Sequence, residues 1–517
     1  MQTPSYRPLQ TKKIHLAALL FLLITTLLRL PLLKAIDLVP DEAYYWDWSR
    51  HLALGYYDQG PFIAYLIRLT TAIFGTNEFG VRIGVCLLTA GTLLCVYQLA
   101  LLFFSPQVGF LTLVLLALSP LVAVGSQIAT YDPPLVFFWT LTLLQIAKAL
   151  FVYSPYSAQQ RRAWLIAGIF CGFGLLSKHT LLLLPGSLLL YLLLTPPQRF
   201  WLRRWEPYAA LGIMLVMYSG VLWWNAQHHW WTFLHLFFLV HHHGGNPLHR
   251  FGDFLASQAL FIGPVIFLGS FGASLSALCT KAPLPHRFLA FMGLPSLLLF
   301  CLLAFKTKVQ ANWVPFAYPS LCLLWVGRYL SAEKQRKPFT NIFWFSLAAI
   351  STAFLTLLLF FPRLRLAVGI HIPPKSDITN TAFGWRTLAK KVQQIRSEME
   401  MQGHKVFISG NGYQYIALMA FYLPDHPPTY DLFLHYRLDM YAAYVQQLKR
   451  HIGEDSIFIN AGKANDADLH KVFARVQWLP PVRLYRRPLY RHPIATIYLA
   501  KCYGYRLYTG LRWARGG

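Results

Sequence analysis

Residues 40–61 read PDEAYYWDWSRHLALGYYDQGP, and they follow the apolar run Ile14–Leu33 almost at once. Asp41, Glu42, Asp47 and Asp58 stand here among Tyr44, Tyr45, Trp46, Trp48, Tyr56 and Tyr57, in a chain with only 20 acidic residues. Carboxylates and aromatic rings at the mouth of an apolar helix suit the edge of a bilayer, where rings lie at headgroup depth and a charge keeps part of its water. Pro40-Asp41-Glu42 is also a good helix start, so the same acids can be read as caps of a following helix.

Outward from this stretch the chain is apolar. Its 517 residues are 56% hydrophobic and only 13% charged, with a mean hydropathy of +0.42, whereas soluble domains carry roughly 25% charged residues. The composition therefore predicts a polytopic α-helical membrane protein. The net charge of +26 would suggest nucleic acid in a soluble chain. Here Lys and Arg fall mainly in short loops and a polar tail, which fits anionic lipid headgroups and phosphates and excludes nucleic acid as a partner. Seven cysteines, five of them inside apolar runs, form neither a disulfide framework nor a CxxC pair.

Apolar runs long enough to span number about eleven, from 14–33 through 108–126, 163–177, 179–195, 254–278 and 312–330 to 341–361. The first is expected to be a retained helix rather than a cleaved signal. Basic residues concentrate in alternate loops, at Arg161-Arg162, Arg199, Arg203-Arg204, Lys281, Arg287, Lys334, Arg336 and Lys337. By the positive-inside rule the N-terminus is cytoplasmic, and the first outer loop and the tail face the other side. Residues 1–361 are thus expected to form the membrane domain, with a structured outer loop at 34–78 that includes an interfacial helix over 61–74. Residues 362–517 form a C-terminal α/β domain, with helices at Trp385–Met401 and Tyr413–Tyr422 and strands at Lys405–Ser409 and Ser456–Asn460. No Gly-rich nucleotide loop is present, so no nucleotide cofactor is expected.

Several polar groups on the outer side are candidates for chemistry. Asp41 reads as a general base, with Glu42 and Tyr57 beside it as substrate contacts. Asp132, before Pro133-Pro134, is a carboxylate between two apolar runs; it is costly there unless it faces water, a cation or a polar ligand, or simply caps a helix. Lys178 is a lone cation between apolar segments that requires a partner, and a lipid phosphate suits its compact charge, with snorkelling as the bland alternative. Lys306, Lys308 and Asn312 form a comparable turn. The loop from Trp223 to His249 is dense in histidine; with His228, His235 and His242 seven apart and Asp58 available, it suggests a divalent metal ion or an interfacial polar belt.

Asp41-Glu42, Tyr57-Asp-Gln-Gly-Pro61, Asp132-Pro-Pro, Leu176-Ser-Lys178, Trp224-Asn-Ala-Gln-His228 and Val309-Gln-Ala-Asn-Trp-Val-Pro315, taken as a set, resemble bacterial GT-C glycosyltransferases of the ArnT-like and protein-O-mannosyltransferase-related (PMT_2) group. Phe383-Gly-Trp-Arg386 and Ala420-Phe-Tyr-Leu-Pro424 extend the resemblance into the tail. It implies an enzyme of the bacterial inner membrane, expected to be a monomer, moving a sugar from a polyprenyl-phosphate donor to a glycolipid, lipid A, glycan or protein acceptor on the periplasmic face. Asp41 and Asp132 would be its catalytic acids, Lys178 with Lys306 and Lys308 would hold the donor phosphate, and Asp58 with His228 and His242 would bind a metal. One departure is visible. Aminoarabinose transferases have Glu-Lys-Pro-Pro where this chain has Asp58-Gln59-Gly60-Pro61, so a phosphate-holding lysine is missing. A lipid transporter or flippase is the rival from another class, but it predicts midplane polar residues and repeated halves, and neither is visible.

Overall fold

A computed structural model describes residues 8–241, 245–279, 281–331, 338–434, 438–462, 464, 466–486 and 489–506. The chain forms two compact units. The first comprises Met1–Leu32, Ala53–Leu66 and Arg82–Leu359, and the second comprises Leu33–Leu52, Ile67–Val81 and Phe360–Gly517.

The first unit is helical. Among the described residues, six helices are long and apolar enough to cross a bilayer: Thr11–Lys34, Glu78–Phe103, Asp132–Phe151, Glu206–Gln227, Leu284–Ala304 and Ile342–Phe360. A seventh is counted if the pair Pro247–Ile262 and Pro264–Cys279, bent by 106°, is one span. The bend sits at Gly263, whose φ of +102° is open to glycine and whose missing Cβ would lie 2.2 Å from the Thr352 hydroxyl. The eleven runs expected from hydropathy are not all continuous helices. Run 108–126 breaks at Ser119, which caps the short helix Pro120–Gly125 through the Val122 N–H. Run 312–330 begins with two 3₁₀ turns before the helix Tyr318–Ser331. Ala158–Ser177 ends at Lys178, which is extended, and Leu183–Leu194 starts one 3₁₀ turn later. Local proline and hydroxyl chemistry thus cuts runs that hydropathy alone reads as whole. Large rings, among them Trp139, Trp164, Trp201, Phe288 and Phe316, fill the centre of this unit.

The second unit is α/β. Strands β1 (Val406–Gly410), β2 (Thr429–Asp431), β3 (Asp455–Asn460), β4 (Phe473–Trp478), β5 (Val482–Leu484) and β6 (Ala495–Tyr505) form a sheet in the order β2-β1-β3-β6-β4, with β5 also on β6. β1 runs parallel to β2 and β3, and β6 runs antiparallel to β3, β4 and β5. Helix Trp385–Met401 buries Trp385, Leu388, Val392, Ile395 and Met399, a one-sided stripe at helical spacing. Both helices and both strands expected in the tail are present, with bounds within a residue.

The first part of the acidic aromatic stretch, up to Leu52, belongs to this unit. Pro40–Arg50 is a helix that packs on Tyr413–Tyr422, and its rings are buried: Tyr44 is 2% exposed, Tyr45 5%, Trp46 4% and Trp48 1%. Tyr44 stacks on Tyr413 and Tyr441 at 4.3 and 5.9 Å, and Trp46 meets Phe421 edge-on at 4.9 Å. These four rings therefore do not line a headgroup belt; protein packing removes more of their apolar area from water than an interface would.

Candidate functional site

The polar centre of the first unit is built around Lys178. The extended backbone at this residue, between two helices, turns its side chain inward, and only 4% of that side chain is exposed. Its Nζ donates to Asp132 Oδ1 at 2.6 Å and to the Asn312 carbonyl at 3.0 Å, and it lies 4.9 Å from the Tyr131 ring centroid. Asn312 Nδ2 donates to the other Asp132 oxygen at 2.9 Å. Asp132 opens the helix Asp132–Phe151, where the free N–H groups favour a negative charge. The Asn312 turn is held by Gln258, which donates to the Ala311 carbonyl at 3.1 Å and accepts from Tyr318 at 2.7 Å. Three distant segments thus meet in one charge-assisted network. Both oxygens of Asp132 are engaged, so it positions Lys178 and Asn312.

An apolar cavity of about 150 Å³ ends on this network; Leu93, Leu116, Val122 and Val136 line its body, with Asp132 and Asn312 at one wall. On another side of Lys178, the loop before Pro61 closes on the break between helices. A Cβ on Gly60 would sit 2.0 Å from the Leu176 carbonyl oxygen, so only glycine allows this approach. It brings Gln59 Oε1 to 2.9 Å from His179 Nδ1. That nitrogen carries the donated proton, which leaves Nε2 as the acceptor.

These segments overlap the residues matched by comparison. A family described as dolichyl-phosphate-mannose-protein mannosyltransferase (PMT_2) matches residues 58–224. Lipid A galacturonosyltransferase RgtD of Rhizobium johnstonii is 32% identical over 309 residues, 58% of this chain and 63% of its own length. The undecaprenyl phosphate-alpha-4-amino-4-deoxy-L-arabinose arabinosyl transferase of Pseudomonas aeruginosa is 33% identical over 210 residues, 37% of this chain and 36% of its own. The crystal structure of ArnT from Cupriavidus metallidurans bound to undecaprenyl phosphate superposes with a TM-score of 0.62 at 15% identity, covering 96% of this chain and 98% of that one. The chain has the fold of ArnT and is similar in sequence to these transferases. It is a multi-pass membrane protein, and it spans less than two thirds of the length of the curated relatives named here.

In this ArnT-like fold the remaining expected residues take up varied places. Asp58 Oδ1 lies 3.6 Å from His235 Nε2, and the Tyr57 ring lies 4.9 Å from that imidazole. The histidine paired with Asp58 is thus His235 rather than His228, which stacks on Trp224 at 4.0 Å and bonds the Trp224 carbonyl through Nδ1 at 2.8 Å. His242 lies outside the described residues. Among the described residues no three His, Cys, Asp or Glu side chains gather as a metal set. Asp58 and His235 by themselves do not make the ligand shell a divalent ion needs. Lys306 and Lys308 are exposed and form no ion pair among the described residues. They do not join the Lys178 network, whose second cation-facing group is Asn312.

In the second unit Asp41 is half-buried and accepts from the Tyr413 hydroxyl at 2.8 Å. Glu42, expected at the substrate, is fully buried and turned back to accept the Val39 N–H at 2.9 Å. This is the helix-start reading of Pro40-Asp41-Glu42, satisfied by Glu42 as the reciprocal capping residue. Asp47 is taken up by Tyr441 at 2.7 Å and Arg50 at 3.0 Å. Sequence reasoning missed Gln59 and His179 as a pair, and missed Tyr413 and Gln258 altogether. The close approach implied by Gly60 beside a Ser-Lys-His break was the one available signal.

Proposed function

We propose that this protein transfers a sugar from a polyprenyl-phosphate donor to lipid A or a related envelope acceptor, with the chain oriented so that its tail is periplasmic. The observation that carries this reading is the buried Lys178 ammonium, held by Asp132 and Asn312 beside an apolar cavity. A slot lined by aliphatic side chains takes a prenyl tail, and a cation at its polar end takes the phosphate to which that tail is attached. The likeness to a structure described as bound to undecaprenyl phosphate, and to a lipid A galacturonosyltransferase, supports the same donor and acceptor classes.

In the proposed reaction an acceptor oxygen attacks the anomeric carbon. The bond from that carbon to the phosphate oxygen breaks, and its electron pair leaves with the lipid phosphate. Lys178 faces the charge that grows there, and Asp132 keeps the ammonium oriented before the donor arrives. A hydroxyl acceptor gives its proton to a carboxylate base, whereas a phosphate acceptor needs orientation only.

The test is release of undecaprenyl phosphate from galacturonosyl and aminoarabinosyl donors by purified protein, with a lipid A acceptor. Lys178→Met is expected to lower kcat/KM by about 100-fold or more, the scale of losing one charge-stabilising group, when turnover is normalised to the folded fraction. Turnover by Lys178→Met equal to the parent would sink the assignment.

A further inference from the structure

We infer that a second lipid site exists at the other end of the helix Tyr318–Ser331, built for one anionic glycerophospholipid. A cavity of about 590 Å³ is bounded there by the helices Pro264–Cys279, Tyr318–Ser331 and Pro338–Phe360. That volume lies within the range of small-molecule sites. Fourteen residues at about 1.5 Å each put this end roughly 20 Å along the helix from the Asn312 turn. It is therefore separate from the Lys178 network and from the apolar cavity beside it.

Three features define the occupant. Gly269, Gly272 and Ser276 line one wall at helical spacing. A Cβ on Gly272 would meet nothing within 4 Å, so this wall faces open space. Trp325 and Trp344 flank it; the Trp325 ring lies so close to Gly269 that a Cβ there would fall 2.4 Å from it. At the polar end stands Arg328, which donates one N–H to Ser276 Oγ at 2.8 Å. Among the described residues no carboxylate pairs with Arg328, whereas Lys178, Arg204, Arg365 and Arg386 each have one. A guanidinium facing this cavity without an acid is complementary to a phosphodiester, which it can bind with two parallel N–H bonds. Basic pockets between membrane helices bind anionic headgroups on this principle. The indole rings supply the amphipathic walls found at headgroup level.

Native mass spectrometry of the full chain, released from detergent with phosphatidylglycerol or phosphatidylcholine added, tests this. The parent is expected to retain one phosphatidylglycerol at least tenfold more than phosphatidylcholine, and 10 mM inorganic phosphate, roughly a hundred-fold excess over lipid, is expected not to displace it. Arg328→Gln should abolish the preference between the two lipids. Gly272→Phe, whose ring would enter the cavity, should abolish retention of both while Arg328 stays in place. Both variants leave the Lys178 network untouched, so melting temperature and donor turnover report folding independently. Equal retention of the two lipids by the parent, unchanged retention by Gly272→Phe, or displacement by inorganic phosphate would overturn the assignment.

Discussion

At the scale of the residue, Lys178 and Asp132 illustrate how burial couples two charges. Each is expensive to remove from water, and their attraction with the Asn312 bonds offsets that cost. Removing one partner leaves the other charge buried and unpaired. Asp132→Asn and Lys178→Met are therefore each expected to destabilise the protein by about 3 kcal/mol or more, and the double variant by less than the sum. A thermal-unfolding double-mutant cycle checks this, and additivity would show that the pair does not interact in solution. Both residues were visible in the sequence as charges that needed partners, but that they partner one another across 46 positions was not. A sequence presents each charge with its local neighbours only.

At the scale of the element, the contact between the 57–61 loop and the end of Ala158–Ser177 depends on one missing methyl group. Gly60→Ala would drive a Cβ into the Leu176 carbonyl. The loop must then retreat, separating Gln59 from His179; a loss of about 1–3 kcal/mol is expected, with donor turnover falling far more than the folded fraction. Melting temperature and turnover measured on the same preparation separate the two effects. In the second unit the connector after the last long helix is tied down by Asp377. Arg365 bonds it, Tyr490 donates to it at 2.6 Å, and the Thr379 N–H and hydroxyl donate at 3.0 and 2.8 Å. Burial opposes ionisation of this carboxyl, yet these bonds hold it below the usual carboxylate range. Its stabilisation is present above the unfolded value near 3.8 and is lost as pH falls through the lower folded value. Asp377→Ala is expected to cost about 3 kcal/mol at neutral pH by leaving Arg365 buried and unpaired, read as a lower denaturation midpoint.

At the scale of the whole molecule, the second unit has a pH response of the opposite sign. Burial pushes the Asp431 carboxyl up to about 6, even though the Phe433 and Gly412 N–H groups donate to it at 2.8 and 2.9 Å. Between its ordinary value of 3.8 and about 6, the folded state holds a proton that the unfolded chain has released. Stability from this group therefore falls as pH rises through that window and is level above it. Asp431→Asn should remove that slope in thermal melts of the full chain; a slope unchanged in the variant would assign it elsewhere. The division into two units also places the 40–50 helix with the α/β tail, where its rings find Tyr413, Phe421 and Tyr441.

Composition and period were enough to establish a membrane protein with a polar α/β tail, because burial in lipid and burial in a sheet leave different repeats along the chain. Residue type was enough to single out Asp41, Asp132, Lys178 and Asp58, because isolated charges beside apolar runs are costly. What only the tertiary structure decided is which of them meet. Lys178 with Asp132, Asp58 with His235, Asp41 with Tyr413, and Glu42 turned back onto its own helix all follow from helix breaks and close approaches set by distant segments. The stretch 40–61 was legible as acids and rings, but whether a ring faces lipid or a neighbouring helix depends on packing that the local sequence does not contain.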